Sequence, residues 1–495
     1  MIWLIAKKEF HDNWISHKIT IAFVLCIVLL MVSLLLALKD YSERLSSYSL
    51  SRSEDALFLD RIATYTIVDK EGIATQGGSN IGDMIDTIGI YRRSVELSVL
   101  ARGLDDRMNR PIRFLDIRKL GPQAEISVGN KQERNKLLAL FPPVDFLFIT
   151  KVMVSLLTIL FAFSAIAGER ETGTLKLMLS NSVSRGQLLL GKFLGGYASL
   201  AAPFLVAVLI AVLLAAFSPS VALGSAGWLR IALMILVSLV YIAVFFFIGI
   251  AVSALTRRSA TAVLLLLAIW IVLALVVPNV GWLVAKQIVV VPSEQQIDTE
   301  KFKTARQIED ETEKKHPSGS YMPGYGQYHV EAQSEINQAL KAIEERYEVL
   351  RQKRLSLSRL LTRFSPVSSY VYSIVGLAQT GIEDEVKYHS FMKQSQIRIA
   401  DEVERVFSTA FSSEFRQNPP PREDPHAYHA WRVKGDEAMY DSFRKMYIPV
   451  LSLTFEKLSL SETLSAIRLD LLLLLVWIGL TFVSATLAVM NCKVR

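Results

Sequence analysis

Cysteine is nearly missing from this chain of 495 residues: Cys26 lies in the first apolar run and Cys492 near the C-terminus. The long polar segments have none, so no disulfide framework holds them. Basic clusters interleaved with aromatics are missing too. Lys and Arg number 54 against 47 Asp and Glu, for a net charge of +7, but the excess sits beside apolar runs, where membrane topology accounts for it; no nucleic acid is expected as a partner. No nucleophile–base pair stands out from spacing. The nearest approach to a nucleotide motif, Gly186 to Lys192 (GQLLLGK), matches G-x-x-x-x-G-K and then fails. A phosphate loop needs Ser or Thr next to ligand magnesium, and here Phe193 follows, after an interior of three leucines and with no strand in front. His426 and His429, with Glu423 and Asp424, fall in a Pro-rich loop and read as solvated rather than as metal ligands. The chain is therefore expected to hold no metal or cofactor and to be no enzyme. Any ATP and Mg belong to another polypeptide.

What is abundant is apolar sequence. Hydrophobic residues make up 51% of the chain and the mean hydropathy is +0.34, values of a membrane protein with sizeable extramembrane parts. The reading is a mainly α membrane protein with six transmembrane helices. Residues 1–18 form an interfacial helix, with Trp3, Phe10 and Trp14 at helical spacing and Lys7, Lys8, Glu9 and Asp12 on other faces. Residues 19–38 are the first span, too long for a signal-peptide core and expected to stay as an anchor. Residues 39–143 form a mixed α/β outer segment. Ser42 to Arg61 reads as helix there, Thr64 to Val68 and Ile112 to Ile117 have strand composition, and Gly77-Gly78 marks a turn.

Spans two to five fill residues 144–285, with Pro203 inside the third and Pro278 expected to kink the fifth. Residues 286–468 form a mainly helical outer segment, and residues 469–495 hold the sixth span and tail. Within the second outer segment, Ile336, Leu340, Ile343, Tyr347, Leu350, Leu357 and Leu361 follow a coiled-coil seam after the loop His316 to His329. That helix either folds back as a hairpin or stands as a stalk for an extracytoplasmic partner protein.

Between spans two and three lies a compact polar island, residues 168–185. Glu169 and Glu171 sit at the start of a short helix, where the dipole favours them, and Leu175, Leu177, Met178 and Leu179 give it an apolar face too short to span. Such a tip suits docking in a groove of a soluble partner. Just beyond it, Gly191, Gly195 and Gly196 offer a smooth face for a neighbouring helix. Lys7, Lys8, Lys18, Arg170, Lys176, Arg185, Lys192, Arg257, Arg258, Lys493 and Arg495 gather at one side of the spans, whereas the short loop Ser218 to Trp228 has no charge. The positive-inside rule then places both termini, the island and the Arg257-Arg258 turn in the cytoplasm, and both long segments outside. Lys151 and Asp470 fall within or at the edge of spans. They are expected to snorkel outward or to pair with each other, and Arg230 is expected to reach the same interface.

Phe161 to Gly196, FAFSAIAGERETGTLKLMLSNSVSRGQLLLGKFLGG, closely resembles the permease subunits of ABC-2 type transporters, in the branch that includes the permease of the nitrous-oxide-reductase maturation system. Leu97 to Phe114, Ser365 to Gly381 and the final span resemble a larger variant of the same group. The resemblance implies two permease subunits, identical or mixed, paired in a bacterial inner membrane over two cytoplasmic ATPase subunits. It implies that Glu169, Arg170, Glu171, Gly173, Thr174, Leu175 and Arg185 form the coupling segment that meets the ATPase, with Arg257 and Arg258 as weaker candidates, and that residues 1–18 are the family's interfacial elbow helix. The function implied is export. Its rival is mechanotransmission, in which ATP hydrolysis moves an outer partner and nothing crosses; a scaffold without a motor is disfavoured by the coupling segment. Few polar residues line the spans, so a lipidic or peptide cargo is expected in preference to a small hydrophilic ion.

Overall fold

A computed structural model describes residues 1–15, 17–69, 89–90, 92–108, 112–114, 126–128, 144–180, 183–315, 325–410, 427 and 455–492. Among them, six helices are long and apolar enough to cross a membrane: Val24–Ser53, Phe146–Glu171, Arg185–Phe217, Ser225–Leu255, Ser259–Ile288 and Leu460–Met490. The chain is a multi-pass membrane protein built as an all-α bundle.

Helix α1 (Ile2–Ile15) precedes α2 (His17–Asp69), whose 53 residues would reach roughly 80 Å at 1.5 Å per residue. The first span therefore does not stop at Leu38 but runs on as helix into the outer segment. This overturns the mixed α/β expectation. Thr64 to Val68, read as a strand from its β-branched residues, lies inside α2. A helix already nucleated adds residues at little cost, and that outweighs a weak local preference. Extended pairing among the described residues is confined to Gly89–Ile90, Ile112–Phe114 and Ile126–Val128, in antiparallel register with Ile90 opposite Ile112 and Phe114 opposite Ile126. Strands of two or three residues make no layer for helices to pack on. The turn read at Gly77-Gly78, residues 316–324 of the loop read over His316 to His329, and His426, His429, Glu423 and Asp424 lie outside the described residues; residues 325–329, read as loop, are helical.

The second span opens at Asp145, whose carboxylate accepts the Phe148 N–H at 2.8 Å and the Arg102 N–H at 2.9 Å. It passes through a π-helical turn (Ile149–Val154) into α3 (Ser155–Ala162). Helices α4 (Ala167–Glu171) and α5 (Thr174–Ser180) form the polar island; α6 (Arg185–Phe217) and α7 (Ser225–Leu255) are the third and fourth spans. The fifth span is α8 (Ser259–Ile271), a π-helical turn (Val272–Val276) and α9 (Val277–Ile288). Pro278 stands at the start of α9: it lacks the N–H that the preceding turn would need, and the widened π turn absorbs the misfit.

Outside the spans, α10 (Glu294–Lys315) and α11 (Tyr325–Thr362) pack as a hairpin. Ile336, Leu340, Ile343 and Tyr347 of the seam are buried with Ile297, and Leu350 packs against them. α11 then returns to the membrane on α9, where a Cβ on Gly281 would lie 2.5 Å from Thr362 Cγ2. α12 (Pro366–Leu377), α13 (Ile382–Ala410) and α14 (Leu460–Met490) complete the order. α12 is wedged between α7 and α14. Tyr370 is fully buried there, stacked 4.2 Å from Tyr241, and its hydroxyl meets Ser238 at 3.0 Å.

The two outer stretches that carry the resemblance meet in space. Thr380 Oγ1 donates to the Ala101 carbonyl at 2.9 Å, and Leu104 N–H donates to the Thr380 carbonyl at 2.9 Å. Gly103 between them has φ +47, and a side chain there would strike Thr380, so both conformation and space require glycine. Around this joint, Asp105 is fully buried between Arg92 (2.9 Å) and Arg44. Asp40 binds Arg44 at 3.0 Å and Arg102 at 2.9 Å, which ties the extension of α2 to this collar of charges around the joint.

Asp384, 1% exposed, sits against the same collar. Burial pushes its carboxyl up to about 6; the Gly381 N–H, Arg92 and Arg230 act the other way, and Glu383 adds to the rise. Tyr388, also buried, faces Arg92 from the next turn of α13. A carboxyl whose folded pKa is raised contributes stability below its ordinary value, 3.8, and loses that contribution as pH rises through about 6. The protection of α13 against hydrogen exchange, corrected for the intrinsic pH dependence of exchange, is therefore expected to be greater at pH 5 than at pH 7.5 by about 1.4 kcal/mol, the one pKa unit between pH 5 and about 6, and Asp384→Asn should erase that difference. A wild-type pH response retained in the Asn variant would assign it to other groups.

Candidate functional site at the polar tip

The second span breaks after Ala162, and the break leaves backbone groups without helical partners. Ser253 of α7 supplies them: its hydroxyl accepts the Ile166 and Ala167 N–H groups, each at 3.0 Å, and donates to the Phe163 carbonyl at 2.7 Å. One buried hydroxyl thus satisfies the kink and binds it to the fourth span. α4 then ends at Gly173, which has φ +75 and open space around it. That left-handed residue turns the chain into α5. Ser184 and Gln187 form a capping box that starts α6.

The charges of the island point in two directions. Glu169 receives the Lys192 ammonium at 2.6 Å, and the same ammonium contacts Glu9 of α1 at 2.6 Å. Lys192 is 3% exposed. Arg170 donates to the Thr256 carbonyl at 2.6 Å, to the Ala254 carbonyl at 2.9 Å and to Cys492 Sγ. Arg185 donates to the Met490 and Val489 carbonyls. Two arginines thus cap the C-terminal ends of α7 and α14, where free carbonyls and the helix dipole favour a cation. Leu175 is buried with Ile166, Leu188, Leu189 and Ala488. Glu171 faces the other way, accepting the Ser259 N–H at 2.9 Å and its hydroxyl at 2.7 Å at the start of α8.

Among the described residues, the exposed part of the tip is Glu171, Thr172, Gly173, Thr174, Lys176, Leu177 and Ser180, flanked by Arg257 and Arg258. Leu177 is 66% exposed, while Thr174 also bonds back to the Glu169 carbonyl at 3.3 Å. The residues read as one coupling set therefore divide. Glu169, Arg170, Leu175 and Arg185 are tied into the bundle; Glu171, Gly173, Thr174, Arg257 and Arg258 form the outer surface.

The glycines of α6 face different helices. A Cβ on Gly191 would lie 2.7 Å from Ile5, and one on Gly195 would lie 2.5 Å from the Ala6 carbonyl, so both admit α1. Gly196 admits Phe246 of α7, whose ring would be 2.5 Å from an added Cβ. α1 lies along α6 with Trp3 78% exposed and with Phe10 stacked on Trp14 at 5.5 Å. Lys192, set aside with the failed phosphate loop, is the residue the sequence reading missed. Its flanking glycines carried the signal: a lysine on a face that another helix must approach closely has no room to snorkel and needs carboxylates instead.

The charges at the other ends of the spans correct a second expectation. Asp470 pairs with Arg363 (2.8 and 3.0 Å) and Arg359 (3.3 Å), both from the end of α11, and not with Lys151. Arg230 is buried, donating to the Leu458 carbonyl at 2.8 Å and to Thr463 at 3.1 Å. Among the described residues, no three His, Cys, Asp or Glu side chains gather in a way that would hold a metal ion.

Two curated relatives match a short stretch of 43 residues. The probable ABC transporter permease protein NosY of Pseudomonas aeruginosa is 56% identical over it, and that of Stutzerimonas stutzeri 51%. The match covers 9% of this chain and only 16% of each relative's length. A family model described as ABC-2 family transporter protein matches residues 3–432. Domains of this family are transport subunits without catalytic chemistry of their own, and by a match over most of its length this chain belongs to the ABC-2 transporter family.

Proposed function

We propose that the chain is the membrane-spanning permease subunit of an ATP-driven exporter, paired with a second permease and driven through its polar tip by a separate cytoplasmic ATPase that binds ATP and Mg. Loop charge supports a cytoplasmic tip and termini in a bacterial inner membrane. The observation that carries the reading is the Glu9–Lys192–Glu169 bridge, which clamps elbow helix, third span and island together at 2.6 Å contacts. With Arg170 and Arg185 capping α7 and α14, a push on the tip reaches three spans through short polar bonds. Lys176, Leu177, Glu171 and the Arg257-Arg258 turn supply the contact surface for the ATPase; Glu169, Arg170 and Arg185 transmit.

The second reading, mechanotransmission to an outer partner, is favoured by one feature. α11 is a single helix of 38 residues, about 57 Å long, anchored at its membrane end by Asp470 of the sixth span.

Contact and transmission separate experimentally. The double variant Lys176→Glu/Leu177→Asp is expected to lose association with the ATPase by at least tenfold in co-purification, with the permease folded. Glu169→Gln is expected to keep association and lose permease-stimulated ATP hydrolysis. If the double variant binds and stimulates the ATPase like wild type, the tip is not the docking surface.

A further inference from the structure

A cavity of about 220 Å³ opens where α7 and α14 begin, lined by Arg230, Gln379, Ser459, Leu97, Leu223 and Gly224 among others. We propose that it seats the anionic headgroup of a membrane amphiphile, drawn from the leaflet that meets the start of α7, with Arg230 reading the charge.

Size limits the occupant. Pockets for whole small-molecule ligands run to roughly 300–1,000 Å³, so this one takes a headgroup or a comparable fragment. Position selects an amphiphile. Trp228 and Leu229, on the turn after the lining residue Gly227, are exposed, as befits side chains at a membrane interface. The cavity wall mixes Leu97, Leu223 and Leu460 with polar groups, so one end of an occupant can stay apolar.

Charge selects an anion. Arg230 is nine-tenths buried, yet among the described residues its guanidinium donates only to neutral oxygens of Leu377, Leu458 and Thr463. Asp384 acts on it through space, without an ion-pair contact. Glu96, the acidic residue of the lining, is neutralised by Lys457 at 2.7 Å. A buried cation that lacks a contacting carboxylate is where an incoming anion gains most.

The wall is also held in an unusual conformation. Gln379 has φ +59, and its amide is pinned to the Leu458 carbonyl at 2.7 Å. A non-glycine residue kept there signals surroundings that over-determine the site. Gly224 has ordinary backbone angles, and among the described residues a Cβ on it would meet nothing within 4 Å. The site can therefore be plugged without disturbing its wall.

The test is lipid retention by the purified full chain, measured by native mass spectrometry and thermal shift. Phosphatidylglycerol is expected to be retained at least fivefold over phosphatidylcholine and to raise the melting temperature. Gly224→Leu and, separately, Arg230→Gln should bring the two lipids to parity. Arg230→Gln also strips bonds from Leu377 and Leu458, so the plug variant decides where that protein fails to fold. Equal retention of both lipids by wild type, or wild-type selectivity in Gly224→Leu, overturns the proposal. Stabilisation by inorganic phosphate equal to that by phosphatidylglycerol overturns the amphiphile and leaves a free anion as occupant. Neither ATPase binding nor stimulation enters the readout, so the result stands apart from the coupling reading.

Discussion

Lys192→Ala is expected to be among the most damaging single substitutions in this protein, costing about 3–5 kcal/mol, the range for leaving a buried charge without its partner. The residue lies between two carboxylates, Glu9 and Glu169, at 2.6 Å from each. Without the ammonium, two acids on closely packed helices face each other, and Glu169 already has one buried oxygen with no hydrogen-bond partner among the described residues. Like charges in such a place either repel or take up a proton. The expected result is a lowered melting temperature, loss of α1 from the surface of α6, and loss of ATPase stimulation.

The triple variant Glu9→Gln/Lys192→Met/Glu169→Gln separates these effects. It removes all three charges while keeping the volumes, and replacement of a whole buried ionic group by neutral residues is often nearly free. Stability is expected to return, while stimulation stays low because the polar bond between tip and elbow is gone. Cysteine cross-linking of α1 to α6 measures docking separately from activity. Full stimulation in the triple variant would show that packing alone couples the tip, and the clamp would lose its assigned role.

The spans were legible in the sequence because their signal is local: about twenty apolar residues in a row specify a membrane helix whatever surrounds them. The island was legible for the same reason, as a polar break between two such runs. What was not legible is the partner of each charge. Glu169 and Arg170 are adjacent, so composition alone could not show that one binds the third span and the elbow while the other caps the fourth. Each residue step along a helix turns the side chain by about 100°, so two neighbours on α4 reach different spans. Gly191 and Gly195 were legible as a packing face, but the identity of the visiting helix, α1, depends on tertiary geometry. Thr64 to Val68 misled because β-branched composition is a weak preference beside an established helix. Asp470 misled because a charge at a span end invites a partner from another span end, and its real partners lie more than a hundred residues earlier, on a helix that returns from outside.

That joint yields the second large effect, and its sign depends on which partner is removed. Asp470 is fully buried, whereas the side chains of Arg363 and Arg359 are 15% and 16% exposed. Arg363 grips both carboxylate oxygens, while Arg359 reaches one of them at 3.3 Å and also binds Glu383. Arg363→Ala therefore strands a buried anion with one distant partner and is expected to cost about 3–5 kcal/mol. Asp470→Leu should cost less: Arg359 keeps Glu383, Arg363 can turn its head toward water, and leucine suits the surrounding apolar helix. Combining Arg363→Met with Asp470→Leu should recover most of the loss, a coupling that a double-mutant cycle by chemical unfolding reads directly. A larger loss for Asp470→Leu than for Arg363→Ala would mean that the arginines, not the aspartate, are the groups held at a cost. The same variants bear on how the outer hairpin is driven. The pair joins α11 to the sixth span, so if an outer partner is moved through α11, Arg363→Ala should weaken that action at temperatures where the protein remains folded, while export through the spans would continue.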